Sequence, residues 1–208
     1  MLRLISVVAL AWILAALPLR AASFNILALG DSLTAGFGLP PDNAFPVKLE
    51  SALKSEGLDA RVINGGVSGD TSSDGRDRLD WVLTGDVDAV IVELGANDAL
   101  RGIDPGGTEA ALADILARLG ARRLPALLAG MRAPRNLGPD YVERFDAIYP
   151  KLAQAYNVLY YPFFLDGVAA QSDLNQEDGM HPSAKGVDII VARILPKVEE
   201  LIAEARKK

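Results

Sequence analysis

Short apolar runs, each followed by a segment of helical periodicity, recur from Phe24 to the end of this chain. That alternation restricts the fold more than any other feature. A strand buried on both faces reads as an unbroken apolar run, and a parallel neighbour is reached only through a crossover, usually a helix. Five runs qualify: 24–29, 61–64, 88–94, 125–129 and 158–161. Helical spacing covers 45–56, 71–83, 108–119 with Thr108 as N-cap, 140–156 with a bend at Pro150, and 183–207 with an interruption at Pro196. The pattern predicts an α/β fold with a five-stranded parallel sheet covered by helices on both faces. The 208 residues suffice for one core, and 50% hydrophobic with 23% charged residues argues against disorder. Ligands of such sheets bind beyond the C-terminal ends of the strands, which directs attention to 30–33, 65–71, 95–98 and 130–135.

The start of the chain reads differently. A short, weakly positive opening at Met1 to Arg3 precedes a stretch, 4–19, that is apolar apart from Ser6; Ala21, Ala22 and Ser23 follow. This is the order of an export signal, with an uncleaved anchor as the competing reading. We expect 1–21 to be a signal peptide and 22–208 the folded domain, placed in the periplasm or secreted. Removal of Arg3 and Arg20 takes the formal charge from −6 to −8. An acidic chain with scattered Lys and Arg disfavours nucleic acid as a partner. We expect a monomer that acts on a small molecule and keeps no membrane span once the signal is removed.

The chain has no cysteine and one histidine, His181. Thiolate chemistry and multi-histidine metal sites are therefore excluded, and any imidazole chemistry must use His181. Ser32 stands in a turn just past the first strand, before a helical segment, where its hydroxyl can face the cleft. It is not in a G-x-S-x-G elbow, because Thr34 occupies the last glycine position. A serine nucleophile needs a base, and the base needs a carboxylate to hold its tautomer. Asp178-Gly179-Met180-His181 supplies both from one loop. Acyl transfer also needs donors where the oxyanion develops, and Gly69 (backbone N–H) and Asn97 (side-chain amide) follow later strands. Each segment taken singly reads as an ordinary turn or cap; their joint placement at strand ends does not.

Gly30-Asp31-Ser32-Leu33, Gly69, Gly95-Ala96-Asn97-Asp98 and Asp178-Gly179-Met180-His181 resemble, in order and spacing, the four sequence blocks of the SGNH (GDSL) hydrolases. Residues 145–152 and 161–164 are similar to the bacterial arylesterase, acyl-CoA thioesterase I and lysophospholipase L1 group. The resemblance runs from about Phe24 to the last helix. It implies a flavodoxin-like three-layer α/β/α sandwich, with Ser32 as nucleophile, His181 as general base and acid, and Asp178 as orienting carboxylate. The implied oxyanion hole is the Ser32 N–H, the Gly69 N–H and the Asn97 side chain. No metal or organic cofactor is implied. The segment 73–76 is less glycine-rich than in similar enzymes.

The expected reaction is hydrolysis of aryl esters, acyl thioesters or lysophospholipid-like substrates through an acyl-enzyme. Leu100 and Ile103, past the Asn97 block, are candidate walls for the acyl group, as is 131–137. Asp31 and Asp98 are expected to brace their turns. A carbohydrate O-acetyl esterase of the same fold and a catalytically silent binding module are the competing readings. A nucleotide site has little support, since neither glycine-rich phosphate motif follows the first strand.

Overall fold

The computed structural model describes residues 23–83 and 85–207; the signal-peptide expectation for 1–21 lies outside them. Five strands form one sheet: β1 (Phe24–Gly30), β2 (Ala60–Gly66), β3 (Ala89–Glu93), β4 (Ala126–Ala129) and β5 (Leu159–Tyr161). All four pairings are parallel, and the strand order is β2-β1-β3-β4-β5. β3 is buried along its whole length and β1 almost so, as their unbroken apolar sequence requires.

One face is covered by α1 (Ser32–Ala35), α2 (Phe45–Ser55) and α9 (Ala184–Ala205). The other carries α3 (Ser72–Asp77), α4 (Leu79–Val82), α5 (Ala96–Leu100), α6 (Pro105–Ala121), α7 (Pro139–Asp146) and α8 (Ile148–Tyr156). This is the expected three-layer α/β/α sandwich. Among the described residues no helix is long and apolar enough to cross a membrane. The strand order reverses between β1 and β3, which opens a crevice at their C-terminal ends.

Several boundaries differ from the sequence reading, each for a local reason. The helix expected over 71–83 is broken at Arg78. The Arg78 guanidinium turns inward to the Asp70 carboxylate (2.6 Å) and the Gly30 carbonyl (2.9 Å). Thr108 is not an N-cap: α6 starts at Pro105, capped by Asp104, which accepts from the Gly106 N–H at 2.8 Å. The Thr108 hydroxyl instead donates to buried Asp98 at 2.9 Å. The segment 140–156 divides at Ala147, not at Pro150. Pro150 has no N–H for the Asp146 carbonyl, so the first helix ends at Asp146, while Pro150 fits the opening turn of the second. Pro196 does not interrupt α9, whose buried residues continue on both sides of it. Residues 96–100, read as a turn, form the one-turn helix α5.

β2 runs on through Gly65 and Gly66, two residues past the apolar run 61–64. Gly66 pairs with Gly30, and a Cβ on Gly66 would lie 2.3 Å from the Ala35 amide nitrogen. Only glycine lets the strand pass this close to α1, the helix that Ser32 opens.

Candidate active site

β1 ends at Gly30, and the chain turns at once into α1. Asp31 caps that helix, its Oδ1 accepting from the Leu33 N–H at 2.9 Å. Gly30 permits the turn: a Cβ there would lie 2.1 Å from Thr34 Oγ1 and 2.6 Å from Glu93 Oε2. Ser32 is thereby the first helical residue, at the mouth of the crevice.

His181 arrives from the opposite end of the chain, on the loop before α9. Its Nε2 lies 3.0 Å from Ser32 Oγ, and its Nδ1 lies 2.6 Å from Asp178 Oδ2. The second Asp178 oxygen accepts from the main-chain N–H groups of Met180 (2.9 Å) and His181 (3.0 Å). The His181 N–H, the His181 imidazole and the Met180 N–H together hold the Asp178 carboxyl down at about 2. It is therefore a carboxylate across the neutral range and an acceptor for the Nδ1 proton. The exposed ring of Phe37 lies against the imidazole, with centroids 4.6 Å apart.

Gly69 lies in the loop after β2 with φ +90, and its carbonyl accepts from Arg101 Nη2 at 2.7 Å. Asn97, on α5, uses its side-chain nitrogen twice, donating to Asp31 Oδ2 (3.1 Å) and to the Asp70 carbonyl (3.0 Å). Both amide hydrogens thus already have acceptors, so Asn97 stands in the crevice as a braced donor. α5 is itself held by buried Asp98, which accepts from the Ser72 N–H (2.8 Å) and hydroxyl (2.5 Å).

A cleft of about 600 Å³ opens from Ser32 and His181. Leu100, Met131, Pro134, Phe163 and Leu165 give it an apolar wall, and the Arg132 guanidinium lies 4.7 Å over the Phe163 ring. Leu100 therefore borders the cleft. Ile103 does not: its side chain faces Gly107, and its carbonyl accepts from the Tyr141 hydroxyl at 2.7 Å. The expectation that Ile103 forms a cleft wall is corrected, because the chain turns away at Gly102 (φ +63) to start α6.

Two acids lie buried beneath the turn that carries Ser32. Burial pushes the Asp31 carboxyl up to about 6, against the opposing pull of the Leu33 N–H. Glu93, fully buried at the end of β3, is raised well above the usual range, first by burial and then by the charge of Asp31. Its Oε2 accepts from the Thr34 hydroxyl at 2.6 Å, while Oε1 has no partner among the described residues. Unfolded, Asp31 ionises near its ordinary value of 3.8; folded, it holds its proton to about 6. Across that window the folded state binds more protons, so stability falls as pH rises, and Glu93 extends the fall to higher pH. Glu93→Gln is expected to flatten the decline of Tm above the ordinary carboxylate range relative to wild type. Parallel Tm curves in calorimetry would remove Glu93 as the source.

A serine hydroxyl, an imidazole and a carboxylate in hydrogen-bonded series, beyond the strand ends of a parallel sheet, define the class: an α/β/α hydrolase of esters. Residues 28–189 match the GDSL-like Lipase/Acylhydrolase family, and the chain belongs to that family. It is 39% identical over 183 residues to an arylesterase of Vibrio mimicus, covering 88% of this chain and 90% of the relative. It is 38% identical over 183 residues to thioesterase 1/protease 1/lysophospholipase L1 of Escherichia coli K12, covering 88% and 86%. The crystal structure of AlinE4, an SGNH-hydrolase family esterase, superposes with a TM-score of 0.74 at 48% identity, covering 86% of this chain and 97% of that one.

Sequence reasoning did not find Gln176, Phe37, Arg101 or Glu93, all of which bear on the site. Glu93 carried a usable signal, a lone acid in an otherwise apolar strand. The others bear on the site through contacts made only on folding: Phe37 with His181, Arg101 with Gly69 and Gln176 with Phe37.

Proposed function

We propose that this chain is an exported serine esterase and thioesterase that cleaves acyl esters, among them aryl esters, acyl thioesters and lysophospholipid-like substrates. The hydrogen-bonded series Ser32–His181–Asp178 carries the reading. Ser32 Oγ attacks the acyl carbonyl carbon while His181 Nε2 takes the hydroxyl proton. Asp178 accepts from Nδ1 and stabilises the imidazolium. The oxyanion is met by the N–H groups of Ser32 and Gly69 and by Asn97, whose amide shifts one hydrogen from its resting acceptor. His181 then protonates the leaving alcohol or thiol, and the C–O or C–S bond breaks. Water, giving its proton to His181, attacks the acyl-enzyme; the bond between Ser32 Oγ and the acyl carbon breaks, His181 returns the proton to Oγ, and the acid is released. The proposed machinery needs no residue from a second copy of the chain. The apolar run ahead of Ser23 supports export to the periplasm or beyond, with 1–21 as the cleaved signal.

The test is covalent labelling with a p-nitrophenyl phosphonate, alongside turnover of p-nitrophenyl acetate, butyrate and octanoate, an acyl-CoA and an acetylated sugar. The expected result is a single phosphonyl adduct on Ser32 and turnover of the fatty acyl substrates. Turnover of the acetylated sugar alone would move the reading to a carbohydrate acetyl esterase. No adduct and no turnover would leave a binding module.

The acyl chain is assigned to the apolar cleft. Leu100, 55% exposed, can be changed there without opening the core. Leu100→Arg is expected to lower kcat/KM on octanoate about tenfold or more, since a charge replaces apolar contact along the chain, with acetate within about threefold of wild type. Equal losses on both esters would count against this wall.

A further inference from the structure

Asp178 and His181 share one loop, so their contact is local. The contact between His181 and Ser32 joins residues 149 positions apart, and it is the step through which the proton must pass. A single hydroxyl–imidazole bond contributes only about 1 kcal/mol net, too little to hold two loops in register. Something else must set the spacing, and one side chain spans the gap.

Gln176 bonds to the segment on each side of that contact. Its main-chain N–H donates to the His181 carbonyl at 2.7 Å. Its side-chain Nε2 donates to the Pro182 carbonyl at 3.0 Å and to the Phe37 carbonyl at 2.8 Å. Phe37 in turn donates its N–H to the Ser32 carbonyl at 3.1 Å, and its ring lies against the His181 imidazole. Gly38, at φ +73, makes the approach possible: a Cβ there would lie 2.2 Å from Gln176 Oε1. A primary amide carries two N–H donors, and here each is used on one of the two loops.

We propose that Gln176 is a positioning residue whose amide clasps the Phe37 and Pro182 carbonyls and so sets the Ser32–His181 distance for proton transfer. The inference rests on Ser32 and His181 acting as nucleophile and base. It assigns Gln176 no contact with substrate, so its loss acts on kcat and not on binding. The clasp depends on donors, not on shape. Glutamate matches glutamine in size, but its carboxylate has no hydrogen to donate and repels both carbonyls. A residue that merely fills space would tolerate Gln176→Glu better than Gln176→Ala; a clasp predicts that Gln176→Glu is at least as damaging.

The experiment measures kcat and KM on p-nitrophenyl butyrate, and the rate of Ser32 phosphonylation, for full-length wild type, Gln176→Ala, Gln176→Glu and Ser32→Ala. The expected result is a fall of about 10- to 100-fold in kcat and in phosphonylation rate for both Gln176 variants, the size of effect that misplacement of about 1 Å produces. KM should stay within about threefold, and Gln176→Glu should lose at least as much as Gln176→Ala. Either variant keeping wild-type kcat, a loss confined to KM, or a Gln176→Glu enzyme more active than Gln176→Ala would overturn the clasp. Unimpaired turnover by Ser32→Ala would instead bring down the assignment of the site, and the clasp with it.

Discussion

Ser32→Ala is expected to lower kcat on p-nitrophenyl butyrate by about 10⁴- to 10⁶-fold, with Tm within about 3 °C of wild type. On the proposed mechanism, the size follows from the loss of the atom that forms the acyl-enzyme. Without Ser32 Oγ, His181 Nε2 has no hydroxyl at 3.0 Å to deprotonate, and catalysis is left to the oxyanion donors and binding. The fold has little reason to respond. The Ser32 carbonyl, which accepts from Gly36 and Phe37 at 3.1 Å, is main chain and stays. Steady-state assays on two independent preparations, with calorimetry, check both halves. A Ser32→Ala enzyme keeping a tenth or more of wild-type activity would show that another group attacks the ester.

Asp178→Asn is expected to lower kcat about 10⁴-fold, although the substitution removes only a charge and one acceptor oxygen. Asp178 Oδ2 lies 2.6 Å from His181 Nδ1, and the proposed mechanism has it accept the Nδ1 proton so that Nε2 is free to receive the proton of Ser32. An asparagine must use its single oxygen either there or for the Met180 and His181 N–H groups that Oδ1 now serves. If the amide nitrogen faces Nδ1, the imidazole proton moves to Nε2 and the base is lost. Because Asp178 ionises at about 2, its own titration lies below the working range. With one histidine in the chain, the ¹⁵N shifts of an untagged sample report the tautomer without assignment. An Asp178→Asn protein with Nδ1 still protonated and kcat within about tenfold of wild type would count against the orienting role.

Much of the architecture was legible in the residues because strand burial writes itself as apolar runs. The alternation from Phe24 onward implied five parallel strands, and all five are present within one or two residues of their expected bounds. Breaks were less legible. Arg78 ends a helix because its guanidinium finds Asp70 and Gly30 across the fold, which no periodicity records. Pro150 was recognised as a disturbance, but its effect falls four residues earlier, at the carbonyl its missing N–H would have served.

The site divides the same way. Residue type and strand-end position were enough to single out Ser32, Gly69, Asn97, Asp178 and His181, because acyl transfer demands a nucleophile, a base, a carboxylate and donors, and the chain offers one histidine for the purpose. What the linear order could not contain was distance. That Ser32 Oγ and His181 Nε2 lie 3.0 Å apart, that Asn97 rests on Asp31 and Asp70, that Ile103 turns away while Leu100 stays, and that Gln176 spans two loops were decided only in the tertiary structure. The physical reason is one of range. Periodicity, glycine stops and residue chemistry are properties of neighbours in the chain, whereas proton transfer and oxyanion binding depend on separations of a few ångströms between segments that only the packing of β1, β3 and α9 brings together.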